Sequence, residues 1–250
     1  MDKPAKLFKY RAIDEYTARI FTHRELYFAR PEQFNDPFES RFDLSYEGTP
    51  EQRVRKFSRA VTHLHPTWNS AQVRTEAERL SGMWKPGRDH TTALSKRFRS
   101  VHGVLSMSAV RDDILMWSHY ADHHRGVCLE FKVDKADVFL GARMMEVVYS
   151  DDYPVLRYFL DEELENVTTV ALRKTKHWEY EQEWRVVDPL HGNGPQVFPP
   201  ELLTGVILGA EIGPDAERLV RSWASGFGSP LTIYRASLKE RSYALDIVPA

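Results

Sequence analysis

Trp178-Glu179-Tyr180-Glu181-Gln182-Glu183-Trp184-Arg185-Val186-Val187 sets three carboxylates alternating with aromatic and amide side chains ahead of an apolar run. A strand repeats its side-chain direction every two residues, so on a strand Glu179, Glu181, Glu183 and Arg185 share one face. Like charges crowded on one face repel, and a chain that keeps them together has a use for them or a partner for them. The expected strand runs from Glu181 to Val187. The competing reading is a solvated face on which Glu183 simply pairs with Arg185.

On either side of this stretch the chain reads as mixed helix and strand, without a repeat or a low-complexity linker. Strands are expected over Leu7–Arg11, Leu26–Ala29, Gly103–Met107, Gly126–Val133 and Met145–Tyr149. Later ones are expected over Gly205–Leu208, Leu231–Ala236 and Tyr243–Val248. Helices are expected over Asp14–Arg24, Asp113–Tyr120, Leu156–Lys174 and Asp215–Ala224. Phe34-Asn35-Asp36-Pro37-Phe38-Glu39 reads as a turn, because the residue before proline is pushed out of the helical region and Asn35 and Asp36 can bond their own backbone. Pro50 to Leu80 is charged and helix-prone with an interruption near Pro66, and Met83 to Arg88 reads as a loop. Strand runs separated by uneven helical stretches give an α+β class: a single domain over residues 1–250 with a helical insertion at about 50–100.

Composition narrows the classes. At 250 residues, 42% hydrophobic and 12% aromatic, the chain can bury a full core. No apolar run approaches the roughly 20 residues that span a bilayer, and the first residues lack the apolar centre of a signal peptide, so a cytoplasmic protein with no membrane partner is expected. Cys128 is the single cysteine, which excludes an internal disulfide or a thiolate metal cluster. A formal net charge of −2 provides no global field for nucleic acid, and the runs Arg53-Val54-Arg55-Lys56 and Lys96-Arg97-Phe98-Arg99 read as solvated helix faces. The glycine-rich dinucleotide fingerprint, the phosphate loop, the paired-histidine zinc motif and the serine elbow of α/β-hydrolases are missing.

Three short elements remain: Arg11 at the end of the first strand, Ser106-Met107-Ser108 in a middle strand, and Glu181-Gln182-Glu183 opening a late one. In this order they resemble the Arg, Ser-x-Ser, Glu-x-Glu signature of the ADP-ribosyltransferase superfamily. The resemblance implies a split mixed sheet, NAD as co-substrate and Glu183 as the catalytic glutamate. Breaking the nicotinamide–ribose bond builds positive charge on the sugar, which a fixed carboxylate stabilises. The Arg11 guanidinium matches phosphate oxygens, the Ser106 hydroxyl fixes the glutamate or ribose with Ser108 in support, and Glu181 orients or deprotonates the acceptor. Tyr120, as a ring that stacks on a base, joins Asn35 and His119 in the expected cofactor-binding set. Each element also has a bland reading, Arg11 as a paired strand-end residue and Ser106 to Ser108 as the edge of a core strand.

A second resemblance covers most of the chain. Lys9-Tyr10-Arg11, Leu26-Tyr27-Phe28, Phe34-Asn35-Asp36-Pro37-Phe38-Glu39, Met116-Trp117-Ser118-His119-Tyr120-Ala121-Asp122 with Gly126, and Trp178 to Arg185 resemble the bacterial family called domain of unknown function 2971. That resemblance implies a setting among phage-defence genes, a toxin or effector role and an antitoxin partner. Glu183-Trp184-Arg185-Val186-Val187 also resembles the catalytic strand of DNA-modifying ADP-ribosyltransferase toxins, so the acceptor is expected to be RNA, DNA or protein.

Two further classes stay open. His119 and His123 are four apart, and if the helix continues past Tyr120 they share a face that binds zinc with Asp36, Glu39 or Glu183, as in a metal-dependent nuclease. Alternatively, His119 caps the helix or bonds a core group, and Asn35-Asp36-Pro37 with His119-Tyr120-Ala121-Asp122 marks a non-enzymatic binding surface.

Overall fold

The computed structural model describes residues 4–85, 90–133, 138–140, 142–160, 169–188 and 192–250. The chain divides into two compact units, one made of residues 1–37, 100–151 and 174–250 and the other of residues 38–99 and 152–173. In chain order the elements begin with β1 (Lys6–Arg11), α1 (Glu15–Thr22), β2 (Glu25–Phe28), β3 (Asp43–Ser45), α2 (Pro50–Leu64), α3 (Ser70–Met83) and α4 (His90–Val101). Then come β4 (Gly103–Ser108), α5 (Ile114–Tyr120), β5 (Val127–Lys132), β6 (Val138–Phe139), β7 (Ala142–Glu146), β8 (Val148–Tyr149), β9 (Val155–Arg157) and β10 (Arg173–Lys174). The last are β11 (Glu183–Asp188), β12 (Gly194–Val197), β13 (Leu203–Leu208), α6 (Pro214–Ser225), β14 (Thr232–Leu238) and β15 (Leu245–Pro249).

The first unit is organised by a nine-stranded mixed sheet in the order β15-β14-β13-β5-β1-β4-β11-β7-β6. Side-chain alternation along these strands feeds two cores. On one face Leu7, Leu105, Leu129 and Val186 meet Ile20 and Phe21 of α1 and Val220 of α6. On the other, Phe8, Tyr10, Cys128 and Ile207 are covered by Met116 and Trp117 of α5. The Trp117 ring stands edge-on to Tyr10 at 5.3 Å, and its indole N–H donates to the Arg111 carbonyl at 2.9 Å. Asp14 caps α1 by accepting from the Thr17 N–H at 2.7 Å.

Strand pairing is uneven. β1 registers with β5 over six residues, from Lys6↔Lys132 to Arg11↔Val127, but with β4 only at Phe8↔Ser108. Beyond that pair the seam between β1 and β4 is bridged by a side chain, the Lys9 ammonium donating to the Ser106 carbonyl at 2.9 Å. β11 pairs with the other edge of β4, placing Glu183 opposite Ser108 and Arg185 opposite Ser106, so these four share a face.

In the second unit α2 and α3 pack together and each opens with a reciprocal cap, Thr49 with Gln52 and Asn69 with Gln72. β3 and β9 pair in parallel beside a small core of Phe42, Leu156 and Val170. The break between α2 and α3 falls at the expected interruption near Pro66. Within the expected helix Leu156–Lys174, however, Leu156 and Arg157 belong to β9, Arg173 and Lys174 form β10, and 161–168 lie outside the described residues. Of the expected loop Met83–Arg88, residues 86–88 also lie outside them.

Candidate active site

The decisive glutamates do not lie on one strand. Lys176–Glu181 is a 3-10 helix, Gln182 takes a left-handed conformation with φ 41°, and β11 starts at Glu183. The strand reading of Glu179 and Glu181 is therefore corrected, and Glu179 is exposed. Glu181 and Glu183 nevertheless converge, because the left-handed residue reverses the chain between them and both carboxylates reach one cation. Lys174 Nζ lies 2.5 Å from Glu181 Oε2 and 3.2 Å from Glu183 Oε2. All three side chains are buried.

Glu183 is also clamped by Arg185, whose Nε donates to Oε1 at 2.8 Å and whose Nη2 donates to Oε2 at 2.9 Å. Arg185 is fully buried and one side of its guanidinium is covered by the Phe34 ring at 5.5 Å. The pair is thus real but desolvated, which overturns the solvated-face reading. Burial opposes the charge on Glu183, but Arg185 and then Lys174 outweigh it and hold the acid at about 2. The Tyr149 hydroxyl fixes the start of the strand by accepting from the Glu183 N–H at 2.8 Å.

Glu181 behaves oppositely. Burial, with repulsion from Glu183 behind it, raises its pKa against the pull of Lys174 and Tyr120 and makes it the weaker acid. The Tyr120 hydroxyl donates to Glu181 Oε1 at 2.6 Å while accepting from Asn35 Nδ2 at 3.2 Å. Two neighbouring carboxylates with opposed shifts are the arrangement that separates an ionised group from a proton carrier.

A cleft of about 340 Å³ opens over this cluster, within the size range of small-molecule sites. Arg11, Ser106, Ser108, Asn35, Tyr120, Glu181 and Glu183 all line it, so the structure brings together seven of the eight residues expected from sequence. Within the cleft, Ser108 has a structural task, its hydroxyl donating to the Glu181 carbonyl at 2.7 Å. The Ser106 hydroxyl is buried without a partner at hydrogen-bond distance among the described residues, yet near enough to Glu183 to favour the ionised acid. Arg11 Nε donates to Thr17 Oγ1 at 3.2 Å, and its Nη2 lies 3.6 Å from the capping carboxylate of Asp14.

His119 is outside the cleft lining and instead bonds Tyr180 through Nδ1 at 2.9 Å. The helix ends at Tyr120, and Asp122, His123 and His124 all have positive φ, so His119 and His123 do not share a helical face. Among the described residues no three of His, Cys, Asp and Glu are grouped so as to hold a metal ion.

Sequence reasoning missed Lys9, Lys174, Arg185 as a clamp, and Phe34. Lys9 keeps some surface along the cleft while its ammonium is enclosed; burial first, then repulsion from Arg11, lowers it to about 7. Its signal was present in the alternation Lys9-Tyr10-Arg11, which sets two cations on one side of a strand, following the apolar pair Leu7 and Phe8.

Residues 116–186 match the family described as a protein of unknown function, DUF2971, a segment running from α5 to within β11. Comparison with curated proteins and with solved structures gives no match. No helix among the described residues is long and apolar enough to cross a membrane.

Proposed function

We propose that the cleft binds NAD and transfers its ADP-ribose to a macromolecular acceptor, on a sheet split along the β1/β4 seam as the ADP-ribosyltransferase resemblance implies. The supporting observation is that Arg11, Ser106 and Glu183, from three strands far apart in sequence, line one cleft together with Glu181. Residues that share a reaction must first share a space.

In this reading Arg11 binds phosphate oxygens, and Glu183 holds the ribose. Among the described contacts Glu183 Oε1 accepts a single hydrogen bond, leaving an acceptor position for a sugar hydroxyl. As the bond from the sugar carbon to nicotinamide breaks, nicotinamide leaves with the electron pair and positive charge spreads over the ribose, which the ionised Glu183 stabilises. The acceptor nucleophile bonds that carbon and its proton passes to Glu181, whose burial makes it the more basic carboxylate. RNA, DNA and protein acceptors all satisfy this chemistry.

The test is nicotinamide release from NAD in the presence of RNA, DNA and protein acceptors, wild type against a folded Glu183→Gln variant. Release that disappears in the variant supports the reading. Absence of release from wild type, or release unchanged in the variant, removes it.

A further inference from the structure

The cluster beneath the cleft is balanced in charge, but the seam beside it is not. Glu181 and Glu183 are matched by Lys174 and Arg185 at 2.5–3.2 Å. The Lys9 ammonium has only the Ser106 carbonyl as a hydrogen-bond partner among the described residues. Arg11 shares Asp14 with the N-terminus of α1. Beside these two cations lies the Ser106 hydroxyl, buried, without a hydrogen-bond partner among the described residues and close enough to Glu183 to favour the ionised acid. Two positive groups without a close carboxylate of their own among the described residues, beside a hydroxyl with no hydrogen-bond partner there, form a receptor for an anion.

The same point lies between two cavities. Lys9, Arg11, Phe34 and Ser106 line both the 340 Å³ cleft and a second cavity of about 180 Å³ on the α1 and β2 side of the seam. The second cavity has apolar walls that include Tyr16 and Tyr27, and the Arg19–Glu25 ion pair at 2.7 Å contributes donors and an acceptor. Such a lining suits a flat heteroaromatic ring with polar edges.

We infer that Lys9, Arg11 and Ser106 form the diphosphate subsite of a nucleotide ligand that straddles the seam, with its base in the cavity beside Tyr27 and its far end over Glu183. This rests on the nucleotide reading of the cleft, but it assigns a lysine and a second cavity that the transfer chemistry does not require. Lys9 is here a binding residue: on arrival of the diphosphate its ammonium gains an anion at hydrogen-bond distance, where among the described residues it has only the Ser106 carbonyl and the more distant charge of Glu183.

The experiment is calorimetric binding of inorganic pyrophosphate and of ADP to the full chain, with Lys9→Met and Tyr27→Ala as variants. Lys9→Met weakens both ligands about tenfold to a hundredfold, as expected for loss of a charge-assisted contact. Tyr27→Ala weakens ADP while leaving pyrophosphate unchanged. A readout on unmodified protein guards against a misfolded variant: acetylation of Lys9, followed by mass spectrometry, slows when pyrophosphate is present. No binding of either ligand by wild type, unchanged affinity in a folded Lys9→Met, unprotected Lys9, or equal effects of Tyr27→Ala on both ligands overturns the assignment. Nicotinamide release separates the two proposals. ADP binding through Lys9 without release leaves the subsite and removes the reaction; release untouched by Lys9→Met keeps the reaction and removes the subsite.

Discussion

Arg185 grips the Glu183 carboxylate with two hydrogen bonds of 2.8 and 2.9 Å in a place where the guanidinium has no solvent exposure. Replacing one member of such a pair leaves the other as a buried charge, which costs more than the pair itself contributes. Arg185→Leu is therefore expected to lower unfolding free energy by about 3–5 kcal/mol in urea titrations at neutral pH. The sign with pH follows from the depressed acid: stability from Glu183 is present above its ordinary 4.5 and is lost as pH falls to about 2. The gap between wild type and variant should narrow across that window, and a gap independent of pH would refute the ionic origin.

Tyr120→Phe removes one hydroxyl and tests the other carboxylate. The 2.6 Å donor to Glu181 is lost, and burial then raises that acid further. A carbon-13 titration of the Glu181 carboxyl should show protonation at higher pH than in wild type, with a stability loss of about 1–3 kcal/mol. An unmoved titration would mean that the tyrosine does not support the ionised form.

Much of the sheet was legible because its central strands are short, mainly apolar runs. Leu7 to Arg11 and Gly126 to Val133 have apolar residues on both faces between turn-forming ends, and both became adjacent central strands. The glutamate motif was legible as a site but not as a shape. Glu181 lies in a 3-10 helix whose end is set by Gln182 in a left-handed conformation, and glutamine carries no sequence signal for that. Lys174 was hidden for a different reason: its role depends on the Ser150 N–H holding its carbonyl at 2.9 Å and on Trp178 covering its ammonium at 4.8 Å. Those are tertiary contacts, and a lysine inside an apparent helix looks like surface.

Lys9 supplies a prediction of the same slope on the alkaline side. Its pKa falls from 10.5 to about 7 on folding, so between those values the unfolded chain binds more protons than the native one. Wild-type stability should accordingly gain from Lys9 as pH rises from about 7 to about 10.5, by up to about 1.4 kcal/mol per pH unit. Lys9→Met should abolish that component, seen as the difference between the two proteins in urea titrations at stepped pH. Parallel curves over the window would show that the ammonium is hydrated in the native state.

Gly126 links the α5 turn to the site. A Cβ at this position would lie 2.2 Å from the Arg11 carbonyl oxygen and 2.9 Å from the Ala121 carbonyl carbon, both backbone atoms with no rotamer to yield. The Gly126 N–H also donates to the Ala121 carbonyl at 2.8 Å, closing the turn that contains the three left-handed residues Asp122 to His124. Gly126→Ala must therefore push the end of β1 away from the turn or open the turn itself. A loss of about 1–3 kcal/mol is expected from the overpacking, and more if both contacts break. Because the displaced atom belongs to Arg11, pyrophosphate affinity should fall along with the melting temperature. A variant that melts early yet binds pyrophosphate as wild type does would show that the turn supports the fold without setting the position of Arg11.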